Sequence, residues 1–237
     1  MQRYFVSYEN EKIIFNEQDV FHIQKVMRNK IGDEIQVVFN SKAYLVAIDS
    51  INPLLVHIVN PILDDSELPY DLVLFFPLTK SDKIELVIQK ATELGATKIY
   101  FYKANRSIVK LDNDAFKKKV ERYLKIAKEA SEQCHRLIIP SIEGALEVKD
   151  IKNYLASTNL VAYELEAGKT TSFYDELELA KKDIAFIVGP EGGFEVNEIE
   201  TLESFGFKRV SLGKRILRME TAAISGLSII ASFMERK

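Results

Sequence analysis

The sequence predicts a two-domain α/β protein: a small β-barrel with one helix over residues 1–68, then a mostly parallel sheet with helices on both faces over residues 71–237. Two observations predict it. The segment Leu63-Asp64-Asp65-Ser66-Glu67-Leu68-Pro69-Tyr70-Asp71 is acidic and carries a proline, the composition of a domain boundary. On either side of it the hydrophobic pattern changes, from short β-rich runs to strands alternating with helical periods. At 237 residues and 47% apolar content the chain has enough material for packed cores.

In the first region Glu34 to Phe39, Lys42 to Ile48 and Leu54 to Val59 read as strands, parted by Asn40-Ser41 and by Asp49 to Pro53. Glu17 to Arg28 places Val20, Ile23 and Met27 at helical spacing behind a capping Asn16. Beyond the boundary, Leu72 to Phe76 is a buried-type strand. Ser81 or Asp82 then caps a helix with the apolar face Ile84, Val87, Ile88, Ala91 and Leu94, stopped by Gly95. Strand Lys98 to Tyr102 follows, then a long helix from Asp114 to Cys134 that buries Phe116, Val120, Leu124 and Ala127. The remaining units are strand Leu137 to Ile139, helix Leu146 to Ala156, strand Leu160 to Tyr163 and strand Ile184 to Val188. Helix Glu195 to Phe205, strand Lys208 to Ser211 and a final helix from Met219 to Met234 complete the alternation, which argues for a mostly parallel sheet.

Composition narrows the function. The N-terminus has no apolar signal region, and no segment approaches about 18 uninterrupted apolar residues, so the reading is a soluble, unexported protein without a membrane partner. A single cysteine, Cys134, excludes an internal disulfide and fits a reducing, cytoplasmic compartment. The scattered His22, His57 and His135 argue against a metal site. A net charge of −3 argues against non-specific nucleic-acid binding, so any such role rests on local patches. The Lys117, Lys118, Lys119, Arg122, Lys125 and Lys128 stripe includes Glu121 and Glu129, and reads more simply as a solvated helix face. Gly168-Lys169-Thr170-Thr171 imitates the end of a phosphate loop. Tyr163 replaces its first glycine, however, and Glu164 and Glu166 place acids where phosphate would sit.

Two loops remain. Gly189-Pro190-Glu191-Gly192-Gly193-Phe194 ends an apolar strand, and the glycines there allow a bare backbone and positive φ. Leu212-Gly213-Lys214-Arg215-Ile216-Leu217-Arg218-Met219-Glu220-Thr221-Ala222 follows the next strand and brings Arg218 and Glu220 to a helix start. Both belong at the carboxyl end of a parallel sheet, where ligands bind. The spacing is not that of a dinucleotide site.

These loops resemble the C-terminal signature of the RsmE family, the 16S ribosomal RNA uridine-N3 methyltransferases of the SPOUT class. The likeness extends to His22-Ile23-Gln24-Lys25-Val26-Met27-Arg28 with Gly32-Asp33, to Lys80-Ser81-Asp82-Lys83-Ile84-Glu85 with Gln89 to Gly95, and to Glu132-Gln133-Cys134-His135-Arg136 with Pro140. The resemblance implies a SPOUT-type parallel sheet with a C-terminal deep trefoil knot, preceded by a small PUA-like β-barrel that binds RNA. It also implies a homodimer packed through the knot and the apolar last helix.

By the same resemblance S-adenosylmethionine is the cofactor, held by Leu165, by Gly189, Pro190, Glu191, Gly192 and Gly193, and by Leu212, Gly213, Ile216, Leu217 and Arg218. The partner is 16S rRNA of the small ribosomal subunit, with Arg3, Arg28, Lys80, Arg106 and Arg136 as RNA contacts. Residues 1 to 70 carry 6 basic and 10 acidic side chains, so such contacts need a basic face on an acidic background. Uridine N3–H is barely acidic, and Arg218 is the first candidate for stabilising the developing anion because its fork donates without losing a proton. Glu220 and Glu191 are the further catalytic candidates, with base and arginine-orienting roles open between them. Departures from the family pattern include Asn105 before Arg106, and Glu195 in place of a Ser/Thr cap, which weakens the helix start. Another SPOUT RNA methyltransferase with a different target, or a non-catalytic ribosome-assembly factor, are the alternative functions.

Overall fold

The computed structural model describes residues 1–107, 113–163, 173–180 and 182–236. The chain divides into two compact units, Met1–Glu67 with Ser131–Ile138, and Leu68–Ala130 with Ile139–Lys237.

The first unit is built on strands β1 (Arg3–Phe5), β2 (Ser7–Glu9), β3 (Lys12–Ile14), β4 (Glu34–Phe39), β5 (Lys42–Ile51) and β6 (Leu54–Ile62). The barrel expected from sequence takes the form of a four-stranded sheet in the order β1-β4-β5-β6 with a separate β2-β3 hairpin. Asn40 and Ser41 both have positive φ (50° and 54°), the requirement of the two-residue turn whose twist matches an antiparallel pair. Phe39 therefore pairs with Lys42, and Ile35, Val37, Val46 and Ile48 share one core with Tyr4 and Ile23. The helix expected from Glu17 to Arg28 is shorter. The Asn16 side chain does cap α1 (Glu17–Phe21), accepting the Asp19 N–H at 2.8 Å. From His22 to Val26 the chain widens into a π turn, and Met27 N–H reaches the His22 carbonyl at 2.9 Å. The extra residue per turn breaks the helical phase, so Ile23 is buried while Met27 is exposed.

Residues 131–138, distant in sequence, belong to this unit. The strand expected over Leu137 to Ile139 does not form. The Leu137 and Ile138 N–H groups instead donate to Glu67 Oε1 at 2.7 and 3.1 Å, so a carboxylate takes the place of a neighbouring strand.

The second unit holds strands β7 (Leu72–Pro77), β8 (Lys98–Lys103), β9 (Ser141–Glu147), β10 (Thr158–Ala162), β11 (Ile184–Val188) and β12 (Phe207–Val210). They form one sheet in the order β12-β10-β11-β7-β8-β9, parallel at every pairing. Leu72, Leu74 and Phe76 join one hydrophobic cluster and Val73 and Phe75 the other, as do Ile184, Phe186 and Val188 against Ala185 and Ile187. A strand buried on both faces must be apolar at every position, which is how these runs read.

The first cluster is covered by α2 (Ser81–Glu93), α3 (Asn113–Gln133), α4 (Phe173–Glu178) and α6 (Met219–Met234); the second by α5 (Val196–Ser204) and a 3-10 turn, Val148–Tyr154. That turn replaces the helix expected over Leu146 to Ala156, because β9 continues through Glu147. In α3 the buried face carries Phe116, Tyr123, Ala127 and Ala130, while Leu124 is exposed. Among the described residues no helix is long and apolar enough to cross a membrane, and no group of metal-binding side chains forms.

Candidate active site

The order of the sheet puts the carboxyl ends of β12, β10, β11 and β7 side by side. The two loops singled out in the sequence follow β11 and β12, which are not neighbours; β10 lies between them and its end, Ala162 and Tyr163, forms the floor. Together they enclose a cavity of about 490 Å³, within the range of small-molecule sites. It is lined by Val188 to Gly193, by Ser211 to Gly213, by Arg215 to Glu220, by Ala222 and by Lys83 of α2.

Every expected cofactor residue within the described chain thus lines one pocket. Leu165 and the Gly168 to Thr171 tetrad lie outside the described residues.

The loop after β11 is held from several sides. The Tyr102 hydroxyl donates to the Val188 carbonyl at 2.7 Å, and Phe194 lies parallel to the Tyr102 ring. Gly193 closes a turn onto the Pro190 carbonyl with φ of 70°, a conformation glycine adopts without strain. Gly192 is required for a different reason. A Cβ there would stand 2.9 Å from Arg106 Cβ, and Arg106 Nη1 donates to the Gly192 carbonyl at 3.1 Å. The bare backbone expected at this loop thus receives the Arg106 side chain as well as lining the pocket.

Two departures from the family pattern meet here, as Asn105 Nδ2 donates to Glu195 Oε2 at 2.9 Å. The helix start at Glu195, expected to be weak, is rebuilt around the buried Glu198. Its carboxylate accepts the Glu195 N–H at 2.8 Å and the Asn105 N–H at 2.9 Å.

Charges in the pocket are unevenly satisfied. Glu191 Oε1 accepts from the buried Thr79 hydroxyl at 2.9 Å and from Lys83 Nζ at 3.2 Å. Burial opposes ionisation of Glu191, but hydrogen bonds from its own backbone, Thr79 and Lys83 outweigh it and hold the carboxyl below its usual range. Lys83 Nζ also lies 3.6 Å from Glu220 Oε2, which is buried and accepts no hydrogen bond. Arg218 is exposed and pairs neither with Glu220 nor with any other described residue.

Lys83 and Thr79 are functional candidates that sequence reasoning missed. Lys83 stands inside a quoted family block, and its position two residues into the helix after β7 was the available signal.

The five basic residues expected to touch RNA separate into two kinds. Arg28 and Lys80 are exposed, and Arg106 is exposed while bound to Gly192. Arg3 and Arg136 are buried, which corrects the expectation that they face RNA. Arg3 donates to Asp64 Oδ2 at 2.7 Å, to Gln36 and to the His135 carbonyl, and Arg136 donates to Glu67 Oε2 at 2.7 Å. Guanidinium groups enclosed in this way hold their own unit together.

A parallel α/β domain with a ligand pocket, joined to a small β unit, defines a class that comparison makes explicit. Residues 66–231 match the model of an RNA methyltransferase domain, and residues 15–59 that of an RNA methyltransferase PUA domain. The sequence is 35% identical to ribosomal RNA small subunit methyltransferase E of Bacillus subtilis, over 98% of this chain and 96% of that protein. Among solved structures it resembles the ribosomal RNA small subunit methyltransferase E of Neisseria gonorrhoeae bound to S-adenosyl methionine (TM-score 0.86, 26% identity, 98% and 97% of the two chains). A methyltransferase of Legionella pneumophila with bound cofactor SAM is equally similar (TM-score 0.86, 27% identity, 98% and 97%). The chain belongs to the ribosomal RNA small subunit methyltransferase E family.

Proposed function

We propose that this protein transfers a methyl group from S-adenosylmethionine to N3 of a uridine in 16S rRNA of the small ribosomal subunit. The observation that carries this reading is the 490 Å³ pocket at the carboxyl ends of the parallel strands β10, β11 and β12.

Its residues fit the cofactor. Val188, Ile216, Leu217 and Ala222 offer apolar surface for a purine ring, and the glycine-bearing loops offer main-chain groups for its edge. Glu191 brings negative charge to the lining, which favours a cationic cofactor, and Glu220 Oε2 accepts no hydrogen bond from the described residues. When bound, the cofactor supplies an activated methyl group. The chain supplies the rest. Arg218, exposed and unpaired, donates to a uracil carbonyl and stabilises the charge that spreads over N3, O2 and O4 as the proton leaves. The two donors on Glu191 support an anchoring role for it, and the free oxygen of Glu220 supports that residue as proton acceptor.

In this reading the N-terminal unit docks RNA through exposed groups such as Arg28, and Lys80 and Arg106 contribute at the pocket's own unit. The protein works in the cytoplasm as a homodimer with knotted C-terminal segments. Partly exposed Ile224, Ile229 and Phe233 on α6 support a second copy packing there.

Small subunits lacking the modification, incubated with the protein and methyl-labelled S-adenosylmethionine, are expected to gain label in 16S rRNA. Label absent from the RNA, with the cofactor bound, would reject the transfer and leave the assembly-factor reading.

A further inference from the structure

Three elements bring their charges to one wall of the pocket. Lys83 comes from the first turn of α2, Glu191 from the loop after β11 and Glu220 from the first turn of α6. Lys83 Nζ lies between the two carboxylates, 3.2 Å from Glu191 Oε1 and 3.6 Å from Glu220 Oε2. The first distance is a hydrogen bond and the second an ion pair without one. Thr79, 1% exposed, adds a second donor to the same oxygen of Glu191.

The result is asymmetric. One carboxylate receives two side-chain donors on a single oxygen, and the other keeps a buried oxygen with no hydrogen-bond donor. The side chains of Lys83 and Glu191 are about three-quarters buried and that of Glu220 more so, at 14% exposed. At such burial two carboxylates sharing a wall repel strongly unless a cation stands between them.

We propose that Lys83 is a positioning residue for methyl transfer: it clamps Glu191 as an anchor of the cofactor loop and keeps Glu220 as the carboxylate that takes the proton from the target nitrogen. This rests on the functional reading above. In the step it serves, the N3–H bond breaks and its proton passes to Glu220. The electron pair left on N3 forms the bond to the methyl carbon, and the pair of the broken carbon–sulfur bond stays on sulfur. Lys83 touches neither the nitrogen nor the methyl group and acts through the two acids. Arg215 and Arg218, on the loop before α6, are the other charged groups lining this pocket, and neither guanidinium makes a hydrogen bond or ion pair among the described residues.

The test compares wild-type protein with Lys83→Met and Lys83→Arg, using S-adenosylmethionine calorimetry and single-turnover methyl transfer to unmodified small subunits across pH. Lys83→Met is expected to bind the cofactor within about threefold of wild type, because Thr79 still donates to Glu191. Its transfer rate is expected to fall by about tenfold or more, with the acid limb of the pH profile moved to higher pH. Lys83→Arg is expected to recover most of the rate. A Lys83→Met protein that transfers at the wild-type rate, one whose defect lies wholly in cofactor binding, or an arginine variant no better than methionine would overturn the proposal. An inactive wild type would overturn the functional reading and this with it; an active wild type with an indifferent Lys83 would overturn this alone.

Discussion

In the N-terminal unit Arg3 and Arg136 are enclosed by Asp64, Glu67, Gln36 and a backbone carbonyl, whereas Arg218 in the C-terminal unit lines a pocket with no partner among the described residues. The residue type is the same, and sequence assigned all three to ligand contact. What separates them is satisfaction. A buried guanidinium whose donors are met by carboxylates and carbonyls has no capacity left for phosphate, and removing its partner leaves an uncompensated charge. An exposed guanidinium with no protein partner is solvated by water and keeps its donors available to a ligand. The first arrangement commits its donors to the fold, and the second fits the catalytic role proposed for Arg218.

The contrast is broken or sharpened by four substitutions, in falling order of expected effect. Arg218→Ala is expected to lower methyl transfer about a hundredfold or more while leaving the unfolding midpoint unchanged. Single-turnover transfer at saturating cofactor reads the first and thermal unfolding the second; a destabilised variant would place Arg218 with Arg3 and Arg136. Glu67→Ala does the opposite. It strips Arg136 of its carboxylate and the Leu137 and Ile138 N–H groups of their acceptor, and is expected to cost about 3 kcal/mol in denaturant unfolding. A loss below about 1 kcal/mol would mean that Arg136 is not the buried charge described.

Gly192→Val tests the link between Arg106 and the cofactor loop. Its Cβ falls 2.9 Å from Arg106 Cβ, and overpacking of this kind costs about 1–3 kcal/mol. Cofactor affinity is therefore expected to fall about tenfold by calorimetry; unchanged affinity would detach the loop's conformation from binding.

The smallest effect concerns pH. Burial raises the Asp64 pKa, but hydrogen bonds from Ser66 and Arg3 and the charge of Arg3 together hold it below its ordinary 3.8. A depressed carboxyl contributes stability above its unfolded value that is lost as pH falls through the folded one. Asp64→Asn is thus expected to flatten the acid limb of stability below pH 3.8, and an unchanged limb would deny the Arg3–Asp64 pair that role.

The parallel sheet was legible because β7 and β11 are buried on both faces, and their unbroken apolar runs say so directly. The pocket loops were legible through Gly193, whose positive φ is a local demand, whereas the need for Gly192 comes from the distant Arg106. Pairing across the chain was not legible. Lys83 meets Glu191 across 108 positions and Arg3 meets Asp64 across 61, and no periodicity encodes which cation finds which acid. The same limit explains the missing strand at Leu137, where a distant carboxylate replaced a neighbouring backbone, and the π turn after Phe21, where tertiary packing overrode helical phase. Composition near Arg3 and Arg136 did carry a hint. The acidic excess of residues 1 to 70 supplied the carboxylates that bury them.

The most direct measurement is nucleoside mass spectrometry of 16S rRNA from unmodified small subunits after incubation with the protein and S-adenosylmethionine. Appearance of 3-methyluridine at one position, lost with Arg218→Ala and retained with Lys83→Arg, is the predicted result. A digest with no 3-methyluridine, or one in which Arg218→Ala yields as much as wild type, would contradict it.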